Sequence, residues 1–376
     1  MKQPSGPLDG ILVVDLTRLL PGPVATMMLK TLGARVIKVE TTTAPDMLRF
    51  LPPHKDRVNV AFAALNQGKE SVVLDINSEE GAGVLQRLCS KADILLTSAR
   101  KPWMEARGLS FESLQERNAK LIYCTLGSYR AGSEREQLGG HDINFLAVSG
   151  LAQLLGQSAP VLPQVQLADL GGAQYAVICL LAALLERGRT GRGRELHLSL
   201  EEGCDPYTHL ARELSRYAPQ LTSVGPLSGE SPVYRFYRCS DGKSIALGAI
   251  EPKFQTRLRE ILPIPTSHWP DDLFFETSDH VHRELEELFG RESRDYWVDF
   301  FAPHDVCFSP VLEISEVDCE GQLLQAHFSV DQTAVSPFGS DTRSVLKELG
   351  YEESEWTDTL LSSLGSADGV GEPGQT

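Results

Sequence analysis

What most constrains this chain is its opening, in which two short apolar runs flank one helix. Ile11 to Val14 is apolar, Pro21-Gly22-Pro23 interrupts, and Val24 to Leu32 follows as a helix with Pro23 in its first turn. Gly33 closes that helix before a second apolar run, Val36 to Val39. Proline fits a helix start, where the first N–H groups have no intrahelical acceptor to lose. A strand, a crossover helix and a second strand argue for a parallel sheet. The pattern continues with strand Ser71 to Leu74, helix Glu79 to Cys89, and strands Ile94 to Leu96 and Leu121 to Leu126. The fold class predicted is α/β, with a Rossmann-like parallel sheet forming a large domain.

Further along, Asp142 to Leu151 reads as an amphipathic helix after the Gly139-Gly140 turn. Asp169 precedes Gly171-Gly172 and a helix running to about Arg187, apolar all round, which predicts a buried position. The basic stretch Arg187 to Arg194 reads as a solvated turn before strand Leu196 to Leu200. From Tyr217 to Glu230 the chain is rich in Pro, Ser and Gly and reads as a linker. Val233 to Tyr237, the Asp241-Gly242 turn and Ser244 to Ala249 then make a hairpin signal, followed by helices near Phe254 to Ile261 and Arg283 to Phe289. The expected organisation is a large domain over 1–215, a linker over 216–230 and a small α+β domain over 231–315. A C-terminal segment, 316–361, returns to the large domain, and 362–376 is a disordered tail without core-forming residues.

Composition narrows the function. A chain of 376 residues that is 41% hydrophobic can build a sizeable core, and its formal net charge of −16 argues against general nucleic-acid binding. Seven cysteines without a Cys-x-x-Cys pair suit reduced thiols better than disulfides or zinc. The N-terminus has no apolar signal-peptide core, and the longest apolar run, Ala176 to Leu185, is about half a membrane span. A cytoplasmic protein with no membrane or nucleic-acid partner is expected. The first turn offers only Gly22 between prolines, so the glycine fingerprint of dinucleotide-binding sheets is missing.

Three titratable residues stand out. His141 follows two glycines, where backbone can bend closely around a ligand. Asp169 stands before a glycine-led helix start, whose positive end favours a carboxylate and whose amides could meet an anion. Glu251 ends the apolar run Ile245 to Ile250 and precedes Pro252, an N-cap-like position. Each also has a structural reading as a helix cap or first-turn acid. His280-x-His282 has metal-like spacing but lies among charges and reads as surface, so no metal is expected.

Several ordered segments carry a resemblance: LDGILVVDLTRLLPGPVATMMLKTLGARVIKVE, NQGKESVVLDINSEEG, NAKLIYCTLGSY, GGHDINFLAVSGL, QLADLGG, RTGRGRELHLSLEEG, DGKSIALGAIEPKF and SPVL. With them, from about Leu8 to Val317, the chain resembles the family III (CaiB/BaiF-like) CoA-transferases and, within them, the α-methylacyl-CoA racemase branch. The resemblance implies an acyl-CoA substrate, no separate cofactor and an interlocked homodimer. It implies that Asp169 is either the acyl-accepting nucleophile of a transferase or one of two proton-transfer bases of a racemase. His141 matches the racemase branch's second base, and Glu251 the acid that orients it. The implied CoA contacts are Leu74, Asp75, Ile76, Asn77, Ser98, Ala99, Arg100, Arg107, Gly140, Asp142, Ile143, Asn144 and Phe145.

The sequence departs from the family pattern in places. Family arginines are replaced by Thr41 and Ala106, with Arg107 adjacent to the second, and the glycine run after Asp169 shortens to Gly171-Gly172. Gly225 to Pro232 holds two separated glycines in place of the glycine run of some transferases. The expected activity is inversion of the α-carbon of a 2-methyl-branched acyl-CoA through an enolate. The alternative is CoA transfer through an anhydride on Asp169.

Overall fold

The computed structural model describes residues 6–55, 58–156, 159–218, 225–265, 268–270, 273, 279–317 and 334–353. The expected tail, 362–376, lies outside the described residues, as do 219–224 of the expected linker and 318–333 and 354–361 of the expected C-terminal segment. The chain divides into two compact units, Met1–Thr208 with Cys319–Thr376, and His209–Asp318.

The first unit runs β1 (Leu12–Leu16), α1 (Pro21–Thr31), β2 (Arg35–Glu40), β3 (Glu70–Val73), α2 (Glu79–Cys89), β4 (Ile94–Thr97), β5 (Ile122–Gly127), α3 (Asp142–Ser149), α4 (Leu167–Thr190) and β6 (Glu195–Ser199), with shorter helices between. The six strands pair in parallel in the order β3-β2-β1-β4-β5-β6. Alternate side chains feed two cores. Val13, Val36, Ile94 and Cys124 enter one with α1 and α4. Val14, Ile37, Leu95 and Tyr123 enter the other with α2 and with Val345, Leu346 and Leu349. Because both faces are covered, these strands read as continuous apolar runs rather than alternating ones.

Two helices differ from the sequence reading. The helix expected over Asp142 to Leu151 stops at Ser149, because Gly150 turns left-handed at φ 81° and starts a separate turn, Leu151–Leu154. Helix α4, expected to be buried all round, is buried on one side only. It packs on α1, α3, β5 and β6, while Ile178 is 64% and Leu185 73% exposed. At 24 residues α4 is also long and apolar enough to cross a membrane by length and composition, because the helix extends well beyond the Ala176–Leu185 run.

The second unit holds a three-stranded antiparallel sheet, β7 (Tyr234–Arg238), β8 (Ser244–Gly248) and β9 (Phe308–Pro310), ordered β9-β8-β7. Helices α5 (Pro252–Ile261), α6 (Asp279–Phe289) and α7 (Arg294–Phe301) accompany it. Its separate core centres on Tyr237, Phe289, Trp297 and Phe301, with Phe289 and Trp297 meeting edge to face at 5.0 Å.

Candidate functional site

The sheet of the first unit changes its winding direction between β1 and β4. Ligand crevices in open parallel sheets form outside the carboxyl ends of strands near such a point. A cleft lies to one side of that point, over β4, β5 and β6, lined by Ser98, Ala99 and Arg100 after β4, Ser128 and Tyr129 after β5, and Gly139 on the approach to α3. Arg100 is exposed and makes no ion pair with the described residues. Lys101, Glu112, Glu136 and Glu195 line the same cleft.

The other expected CoA positions have different surroundings. Asn77 and Arg107 meet, with Arg107 donating to Asn77 Oδ1 at 2.6 Å and to the Trp103 carbonyl at 2.9 Å. The guanidinium also stacks 4.0 Å over the Trp103 ring, and its Nε is buried without a partner. Leu74, Ile76 and Phe145 are core residues at 2% exposure or less, so only their main chain could meet a ligand. Asp75 uses its carboxylate to accept the Asn77 amide at 3.1 Å. Ile143 and Asn144 are exposed in the first turn of α3.

His141 is the N-cap of α3, exposed, with its backbone N–H donating to Asn144 Oδ1 at 3.0 Å. The next residue, Asp142, is buried, and its Oδ1 accepts the amides of Ala168 at 2.7 Å and Asp169 at 3.0 Å. One carboxylate oxygen thus caps α4 from a neighbouring helix, a role that α4's own N-cap, Gln166, does not fill. This contact joins the Asp142 side chain, next to His141, to the backbone of Asp169. Asp169 lies inside the first turn of α4 rather than before it. Burial, and then the Asp142 carboxylate beside it, push its carboxyl up to about 6, while His141 offsets part of the rise. A carboxyl at about 6 has entered the range in which imidazoles ordinarily titrate, roughly 6.5.

The glycines have a different use from the one expected. The amides of Ala168 and Asp169 are taken by Asp142, and that of Leu170 by the Gln166 carbonyl, so they are not open to an anion. Gly171 and Gly172 are already within the helix, and they let it press against the segment after β6. A Cβ on Gly172 would stand 2.5 Å from Leu200 Cδ2, and one on Gly203 would stand 2.3 Å from the Gly172 nitrogen. Gly140, likewise, makes room for an aromatic pair. A Cβ there would meet Phe145 at 2.7 Å and the Tyr129 hydroxyl at 2.8 Å, and those two rings pack edge to face at 5.3 Å.

Sequence reasoning missed a buried ionic network at the carboxyl ends of β1 and β2. Asp15 accepts from Thr17 at 2.5 Å, Thr26 at 2.6 Å and Lys69 at 3.3 Å, while Lys38 pairs with Asp46 at 2.9 Å and Arg49 with Glu40 at 2.5 Å. Burial alone would raise the Asp15 carboxyl, but Lys69, Lys38 and the two threonine hydroxyls outweigh it and hold it at about 2. The network fixes the loop that leaves β1, since Lys38 also donates to the Thr17 carbonyl at 2.9 Å. The available signal was Lys38 itself, a charge inside a strand whose neighbours face two cores, which requires a buried partner.

Glu251 belongs to the second unit. It is the N-cap of α5, accepts the Phe254 amide at 2.9 Å through its carbonyl, and makes no side-chain cap. Its carboxylate is exposed and contributes to the raised Cys307 thiol, after burial as the main cause.

The profile of CoA-transferase family III matches residues 8–339. The human α-methylacyl-CoA racemase is 34% identical over 317 residues, covering 82% of this chain and 79% of that protein. The human succinyl-CoA:glutarate CoA-transferase is 28% identical over 329 residues, covering 85% of this chain and 74% of that one. A solved structure of a CaiB/BaiF family protein from Brucella suis superposes with a TM-score of 0.77 at 25% identity, covering 92% of this chain and all of that one. The family profile along residues 8–339, with a fold that superposes on a CaiB/BaiF protein, makes this protein a member of CoA-transferase family III.

Proposed function

We propose that the protein is an acyl-CoA racemase that inverts the α-carbon of a 2-methyl-branched acyl-CoA, with His141 and Asp169 as its two bases. The observation that carries this reading is the Asp142 bridge, which ties the residue after His141 to the backbone of Asp169 and helps raise that carboxyl to about 6. Inversion needs a proton to leave one face of the α-carbon and another to arrive on the opposite face. A carboxyl poised near 6 can serve as either donor or acceptor at neutral pH, as a reversible reaction requires. In one direction His141 removes the α-proton and protonated Asp169 returns one; in the other the roles exchange. The 34% identity to a racemase supports the same reading.

The thioester acidifies the α-carbon, so no separate cofactor enters the proposed step. The enolate oxygen must find donors other than the amides of Ala168, Asp169 and Leu170, which Asp142 and Gln166 already hold. For CoA, the cleft positions Ser98, Ala99 and Arg100 are the proposed contacts, with Arg100 as the phosphate partner. Glu251 enters the proposal as the acid that orients His141. The competing reading is CoA transfer through an anhydride on Asp169, favoured by relatives named as CoA-transferases.

The test is incubation with an (R)-2-methylacyl-CoA in deuterium oxide, with and without an acceptor acid. The racemase reading expects α-deuteration without acceptor, and slower exchange at unchanged CoA affinity in Glu251→Gln. No exchange, together with CoA transfer to the added acid and a hydroxylamine-sensitive adduct on Asp169, would establish the competing reading.

A further inference from the structure

We propose a divalent transition-metal site of the zinc class in the second unit, formed by His268, His280 and Glu284. His280 and Glu284 are four residues apart on α6, which places them one turn apart on the same side of the helix. His268 comes from the loop after α5. Its own amide donates to the Pro265 carbonyl at 2.9 Å, and the adjoining Trp269 is buried in the small core. The loop therefore presents this histidine from an anchored position.

The three side chains converge. His268 Nδ1 lies 2.7 Å from Glu284 Oε1, and His280 Nε2 lies 3.5 Å from the same oxygen. One ligand atom from each residue lies within 4.8 Å of the other two. A tetrahedral zinc with bonds of about 2.0–2.1 Å would hold its ligand atoms roughly 3.3 Å apart, so the ion fits after shifts of about an ångström. The carboxylate's second oxygen, Oε2, is buried and has no hydrogen-bond partner, leaving an acceptor free to ligate. All three side chains remain partly open to solvent, at 39%, 58% and 23% exposure for His268, His280 and Glu284, so an ion has a route in.

The donor set decides the class of ion. Two imidazoles and one carboxylate suit zinc, cobalt or nickel, whereas magnesium and calcium take oxygen ligands almost throughout. Three protein ligands leave one position for water. His282, the other half of the His-x-His pattern, takes no part. Two residues along a helix it faces elsewhere, and its Nδ1 lies 3.3 Å from Arg235. The chemical consequence of binding is to clamp the 268 loop to α6.

The experiment uses the full chain after chelation and dialysis, titrated with Co²⁺ alone while the visible spectrum is recorded. The expected result is a saturable band of a four-coordinate cobalt centre at one equivalent, displaced by one equivalent of Zn²⁺. His280→Ala and Glu284→Gln should weaken Co²⁺ binding by at least about ten-fold, while His304→Ala should bind like the parent. Circular dichroism of each variant, recorded alongside, establishes that it is folded. Zn²⁺ should also raise the melting temperature of the parent and of Glu284→Asp more than that of His280→Ala. Absence of the four-coordinate band in the folded parent, or a band that persists at full affinity in folded His280→Ala, would overturn the site and leave a His–Glu hydrogen bond in its place.

Discussion

Asp142 Oδ1 makes the contact on which the candidate site turns, since it accepts two amides from the helix that carries Asp169. Its charge also contributes to the raised Asp169 carboxyl, after burial. Asp142→Asn separates the two effects, because asparagine keeps an acceptor oxygen and loses the charge. If Asp169 acts as a base, kcat/KM in the direction it initiates rises with pH as the carboxylate forms, with a limb near 6 in the parent. The limb should move to lower pH in Asp142→Asn, with the fold retained, as measured by a pH series of initial exchange rates. An unmoved limb would mean that Asp142 acts on Asp169 through backbone geometry alone. The helix-start positions of His141, Asp169 and Glu251 were legible in the sequence, although Asp169 falls inside the first turn of its helix rather than before it. The partnership of Asp142 with Asp169 was not, since it spans 27 residues and no local pattern records such a contact.

At the scale of elements, the strands were the most legible part of the fold, because a sheet buried on both faces writes itself as apolar runs. The helix Glu79–Cys89 was legible to the residue, with Ser78 as its N-cap accepting the Gly81 amide at 3.0 Å. Helix α4 was misread because composition records how apolar a helix is and not how much of it is covered. Its glycines were misread for a related reason, as their close partner is the distant segment Ser199–Cys204. Two substitutions test that packing. Gly203→Ala, whose Cβ meets backbone at 2.3 Å, should destabilise the protein by about 1–3 kcal/mol or more. Gly188→Ala, inside α4 with nothing within 4 Å of the added carbon, should stabilise it by roughly 0.5–1 kcal/mol. Urea unfolding curves of the two variants give both values, and equal effects would remove the packing explanation.

For the whole molecule, the large parallel sheet was legible, whereas the assembly was implied only by resemblance. We propose a homodimer, supported by the apolar stripe that α4 leaves uncovered, Ile178 and Leu185 lying seven residues apart on its open side. Leu185→Glu should shift sedimentation toward the monomer, while a parent that sediments as a monomer at micromolar concentration contradicts the dimer. The measurement that bears most directly on a two-base racemase is α-deuterium uptake by each pure enantiomer of a 2-methylacyl-CoA, read by mass spectrometry in the parent, His141→Ala and Asp169→Asn. Each variant should lose inversion, yet slowly exchange the one enantiomer whose proton faces the remaining base, and the two variants should prefer opposite enantiomers. Wild-type inversion in His141→Ala, or the loss of exchange with both enantiomers in folded Asp169→Asn alongside CoA transfer by the parent, would contradict it.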